Sequence, residues 1–108
     1  MKKAEQIAIN EKAYEIFNSA IEEWYKDGES ARKKLYSCKA EVIWTIHYEI
    51  LCSYNTIVAC IDKSSGTLVD VLRTEYGYTP SSAQHISKFA RQYFGTFYGF
   101  EKLVARPV

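Results

Sequence analysis

Apolar positions in the first quarter of the chain recur at helical spacing. From Lys3 to Asp27, the residues Ile7, Tyr14, Phe17, Ile21 and Trp24 follow one another at intervals of seven, three, four and three, and Ile9, Ala13, Ile16 and Ala20 widen the stripe on one side. Lys and Glu fill the remaining face, no Gly or Pro interrupts, and Gly28 stands where a helix would stop. Residues 29–40 predict a second, shorter helix, with Ser30 as its cap and Ala31, Leu35 and Cys38 turned inward.

The period then changes from helical to alternating. Over residues 41–52, Val42, Trp44, Ile46, Tyr48, Ile50 and Cys52 share one parity, while Ile43, Thr45, His47, Glu49, Leu51 and Ser53 take the other. Together with their β-branched and aromatic content this predicts one strand. Ser53-Tyr54-Asn55 predicts a bend or bulge, residues 56–61 a more continuously apolar strand, and residues 62–66 a turn in which Gly66 supplies a positive φ. Residues 67–74 predict the return strand of an antiparallel meander.

A helix start follows Gly77. Thr79 is a good N-cap, Pro80 fits the first helical position, and Ala83, Ile86, Phe89, Ala90 and Tyr93 recur at three/four spacing up to Gly95. The outer face of this helix is assigned Gln84, His85, Lys88 and Arg91. The tail, with Phe97, Tyr98, Phe100, Leu103 and Val104, is too apolar for a loose end and predicts a final strand or packed extension up to Pro107. The expected fold is α+β and a single domain over residues 1–108, with a helical part over 1–40 and a sheet plus helix over 41–108. The sheet is expected to have three or four antiparallel strands, with the second long helix after the third.

Both helices then contest one face of a small sheet. The apolar surplus on the first predicts a homodimer, with Tyr14, Phe17, Ile21 and Trp24 near its interface.

Composition narrows the function. A net charge of +1 is too small for a protein that works mainly by neutralising phosphates and excludes a strongly acidic DNA mimic. No apolar run approaches membrane-spanning length and no signal peptide opens the chain, so the bacterial cytoplasm is expected. The three cysteines, Cys38, Cys52 and Cys60, form no CxxC pair and read as free thiols. Nine tyrosines raise the aromatic content to 15%. Tyr has an apolar body and a polar tip, so such a surplus either lines an interface or fills a small core with large side chains.

Candidate chemistry is sparse. His47 and Glu49 share a strand parity and would suit acid–base work, but two polar residues on the wet side of a strand are far commoner. Two histidines and three scattered cysteines lack metal-ligand spacing, so neither a metal nor another cofactor is expected. The run Arg32-Lys33-Lys34 with Lys39, and the residues Gln84, His85, Lys88 and Arg91, are candidate contacts to a partner or a nucleic-acid backbone. Solvated faces are the commoner origin of such patterns.

Two stretches carry a resemblance. Residues 52–62, with Ser53-Tyr54-Asn55-Thr56 at their head, and residues 76–89, with Tyr78, Thr79, Ser81, Ser82, His85, Ile86 and Phe89, resemble a pattern in small proteins of bacteriophages and mobile elements. There a "SYNT-x-VA" strand precedes a "Y-[ST]-x-[TS]-[TS]-x-x-H-I-x-x-F" helix start. The resemblance spans less than half of the chain, carries no catalytic residue across, and implies a phage or plasmid origin. Small proteins of such elements often disable a host machine. The expectation is therefore a non-enzymatic protein that binds and inhibits a host defence protein, such as a CRISPR effector nuclease. The alternative is a small nucleic-acid-binding regulator, and an enzyme acting through His47, Glu49 or His85 ranks last.

Overall fold

The computed structural model describes residues 2–27, 31–35, 39–96 and 99–108. Within them the chain forms, in order, α1 (Lys3–Asp27), β1 (Ala31–Lys34), β2 (Ala40–Trp44), β3 (Tyr48–Ser53), β4 (Thr56–Asp62), β5 (Thr67–Asp70), α2 (Leu72–Glu75), α3 (Pro80–Phe94) and β6 (Glu101–Val104). The fold is α+β. Six strands lie side by side in the order of the sequence, antiparallel from β1 to β5, with β6 parallel to β5. A parallel neighbour needs a crossover, and α2 with α3 provides it.

The central strands are apolar on both faces, so both faces must be covered. One face presents Ile43, Ile50, Cys60 and Val69 to α1, which buries Ala13, Phe17 and Ala20 against them. The other presents Val42, Leu51, Ala59, Ile61 and Leu68 to α3, which contributes Ile86 and Phe89. Two-sided burial explains why residues 57–61 read as a continuous apolar run rather than an alternation.

This arrangement corrects several sequence expectations. The sheet has six strands rather than three or four. The two helices do not contest one face: they lie on opposite faces. The surface behind the homodimer expectation is thus divided. Phe17 is buried against the sheet, while Tyr14, Ile21 and Trp24 are half-buried at its border. Of the residues expected as a second helix, Ala31–Lys34 form an edge strand with all four side chains exposed. Residues 28–30 and 36–38, including the expected stop, the expected cap and Cys38, lie outside the described residues. An edge strand needs no apolar face, and its Arg and Lys discourage pairing with other chains.

The single strand expected over residues 41–52 is a hairpin. Thr45, Ile46 and His47 turn the chain, Thr45 N–H donates to the Tyr48 carbonyl at 2.9 Å, and Trp44 pairs with Glu49. The turn reverses parity: Val42 and Ile50, expected on one side, face α3 and α1 respectively. The return strand stops at Asp70, whose carboxylate accepts from Leu72 N–H at 3.0 Å and so starts α2. In the tail, Glu101–Val104 form the final strand, and Phe97 and Tyr98 lie outside the described residues.

The helix after Gly77 is placed as expected. Thr79 has extended backbone angles, its hydroxyl accepts from Ser82 N–H at 3.2 Å, Pro80 opens the first turn, and Gly95 ends the helix at φ 63°.

Candidate interaction surface at the tyrosine-bearing end

Because β3, β4 and β5 alternate in direction, the β3–β4 turn, the end of β5, α2 and the start of α3 all sit at one end of the sheet. The turn is Tyr54-Asn55, with φ of 49° and 68°. Two successive left-handed residues make the tight hairpin turn that matches strand twist, but Asn and Gly normally fill it. A tyrosine there is strained.

Beneath Tyr54 lies a buried polar cluster. The Ser53 hydroxyl is 2.8 Å from His85 Nδ1 and 3.0 Å from the Ser82 hydroxyl, and all three residues are buried. The Tyr54 ring leans on the imidazole with centroids 5.3 Å apart and a 35° tilt. Burial, and then the Lys88 ammonium, hold the His85 pKa below its ordinary value, so the ring is neutral near pH 7. His85 was expected on the outer face of its helix. It faces inward instead, because Ser82 and His85 continue the buried stripe of Ile86 and Phe89 with polar atoms that satisfy one another. The two stretches that carry the phage-protein resemblance meet in this cluster: Ser53 and Tyr54 come from the first, Ser82 and His85 from the second.

A serine bonded to a histidine invites a nucleophilic reading. The geometry opposes it. Ser53 is sealed beneath the turn, and among the described residues no carboxylate is hydrogen-bonded to the imidazole. The cluster clamps α3 to the end of β3.

Tyrosine exposure identifies the surface. Tyr25, Tyr54, Tyr76 and Tyr78 are 74%, 43%, 49% and 55% exposed, and all four lie at this end. Tyr25 shares a shallow hollow with Asn55, Thr56 and Glu75 between α1, the β3–β4 turn and α2. Tyr76 follows Glu75 directly, and the Arg73 guanidinium stands 4.8 Å above the Tyr78 ring. The other described tyrosines, Tyr14, Tyr48 and Tyr93, are half-buried, and none lies fully inside. Among the described residues, the exposed tyrosines therefore serve the surface, and the buried core is built mainly from aliphatic residues and two phenylalanines, Phe17 and Phe89.

The other candidate residues separate. On β1, Arg32 and Lys34 share the parity of Ile43 and Glu41 and lie toward the α1 face, whereas Lys33 pairs with Val42 and lies toward the α3 face. Arg32 is tied to Glu41 at 3.2 Å. Lys34 and Lys39 line a hollow with Tyr54 and Asn55. Gln84 and Arg91 are exposed on α3, and Lys88 is half-buried. No single patch contains all of them.

At the opposite end, His47 does not pair with Glu49. It sits in the β2–β3 turn, with Nδ1 2.6 Å from the Glu23 carboxylate of α1. The same carboxylate accepts from His47 N–H at 2.9 Å and from the Thr45 hydroxyl. Burial opposes ionisation of Glu23, but the bonds from Thr45 and His47 outweigh it and hold the pKa at about 2. Glu49 is on β3, where burial raises its pKa against the pull of Trp44 and Lys63. An imidazole oriented by a carboxylate is a general-base arrangement. Among the described residues, however, nothing else is hydrogen-bonded to the His47 ring, and the pair fastens the turn to α1. No group of three potential metal ligands occurs among the described residues. No helix among them is long and apolar enough to cross a membrane. Both described thiols are buried, and burial, followed by the charge of Asp62, pushes Cys60 up to about 12.

No protein-family model, curated protein or solved structure matches this chain.

Proposed function

We propose that the chain is a non-enzymatic binding protein of phage or mobile-element origin, and that its tyrosine-bearing end engages and disables a host defence protein of the CRISPR-effector-nuclease kind. One observation carries the binding reading: every exposed tyrosine among the described residues lies at the same end of the sheet. Tyr is enriched at protein interfaces, where it supplies contact area for little lost rotamer freedom. The partner class rests on the resemblance of residues 52–62 and 76–89, whose Ser53, Tyr54, Ser82 and His85 meet at this end. The sealed Ser53–His85 pair and the turn-bound Glu23–His47 pair support a protein without catalysis of its own.

The test is affinity capture from host lysate followed by mass spectrometry, with the wild type beside a variant carrying Tyr25→Ala, Tyr54→Ala, Tyr76→Ala and Tyr78→Ala. A defence nuclease retained by the wild type and lost by a folded variant is expected. Equal retention by the two proteins, or no defence protein with either, overturns the reading.

A further inference from the structure

The α1 helix packs mainly over β3, β4, β5 and β6 and reaches β2 at Ile43, while Lys34 and Glu41 pair two residues farther along the β1–β2 edge of that sheet face. There, among the described residues, Lys34, Lys39, Glu41, Cys52, Tyr54 and Asn55 line a hollow of about 400 Å³. Its charge is unbalanced. The Glu41 carboxylate, across the strand pair from Lys34, is taken by the Arg32 guanidinium at 3.2 Å, and neither Lys34 nor Lys39 is ion-paired with a carboxylate among the described residues. Tyr54 lines the hollow as well, and its ring is braced by His85. Beside it stands exposed Asn55, whose amide offers both donor and acceptor.

We propose that this hollow binds a nucleoside phosphate, either free or as one unit of a single-stranded nucleic acid. The phosphate lies between Lys34 and Lys39, the base stacks on Tyr54, and Asn55 meets the base edge. Paired cations next to an exposed ring form the recurring arrangement for unpaired nucleotides, since every base has a π-face and every unit a charge. A duplex hides its bases and offers no such stacking. The strained turn fits this role. A left-handed tyrosine persists where the side chain is needed, and His85 holds the ring in place before any ligand arrives, which lowers the ordering cost of binding. The site stands beside the protein-partner reading and does not depend on it.

The test uses the purified full chain in polarisation titrations with fluorescein-labelled dT12, with AMP and inorganic phosphate as competitors. Two variants are compared: Lys34→Ala/Lys39→Ala, and Tyr54→Asn, which removes the ring but suits the left-handed turn, so folding is kept. Binding of dT12 that weakens about tenfold or more in each variant, and falls with added salt, is expected. Competition by AMP but not by phosphate assigns the site to free nucleotides as well, whereas binding of dT12 without competition by AMP assigns it to the strand. The proposal is overturned if neither dT12 nor AMP binds at millimolar concentration, if either variant binds like the wild type, or if a duplex of the same length binds as tightly.

Discussion

The Ser53 hydroxyl and His85 Nδ1, separated by 32 positions in sequence, lie 2.8 Å apart inside the protein. That bond joins the last residue of β3 to the second turn of α3 and fixes the platform on which Tyr54 rests. Replacing His85 with Ala takes one of two partners from the buried Ser53 hydroxyl, which keeps only Ser82, and opens a void. The expected loss is about 2–3 kcal/mol in urea unfolding, with a weaker grip on whatever Tyr54 contacts. An unchanged midpoint would mean that the cluster is not structural.

Stability should fall over two ranges as the pH drops. The pKa of His85 is depressed in the folded state, so the unfolded chain takes up its proton first, and stability falls as pH drops below the ordinary value of 6.5. Glu23 is held at about 2 against an ordinary 4.5, so its contribution is full above that ordinary value and is lost as pH falls toward 2. Thermal melts across this range should show both slopes. Glu23→Gln should remove only the lower one, and His85→Gln only the upper.

Thr79→Ala should cost about 1 kcal/mol, since Ser82 N–H loses its acceptor. Binding through the tyrosine end should survive in the folded variant. Unchanged melting combined with lost binding would make Thr79 a contact residue instead.

Phe17→Asp should unfold the protein at any concentration, because it sets a charge against Ile43, Ile50 and Val69. Circular dichroism decides the matter, and a folded Phe17→Asp variant would place that ring outside the core.

What could be read from the sequence depended on whether the signal was local. Thr79-Pro80 and Gly95 punctuate α3, so its bounds were legible. The α1 stripe was legible too, but not its destination, because only the completed sheet shows that each helix has a face to itself. β1 was lost because an exposed edge strand of Ala31, Arg32, Lys33 and Lys34 has no apolar alternation to detect. The β2–β3 turn is hidden because Trp44, Thr45, Ile46 and Tyr48 favour strands, and no Gly, Pro or Asn stands among residues 44–48. His85 reads as outward-facing from the sequence because it groups with the polar residues Gln84, Lys88 and Arg91, which look solvated. The local hint was Ser82, three residues earlier, which gives it a polar neighbour on the same helix face. That Tyr54 rests on His85 follows from the tertiary fold, and spacing alone could not reveal it.

The distribution of α1's partners also sets a sequence of events. Ala13, Phe17 and Ala20 pack against Ile43 through Leu103 and Ala105, and Gln6 donates to the Val104 carbonyl 98 positions away at 3.0 Å. In synthesis α1 therefore precedes every strand that it packs on, and its cover is completed only when β6 is made. Part of its apolar face stays open until then, so this domain is exposed to aggregation and proteolysis until β6 arrives.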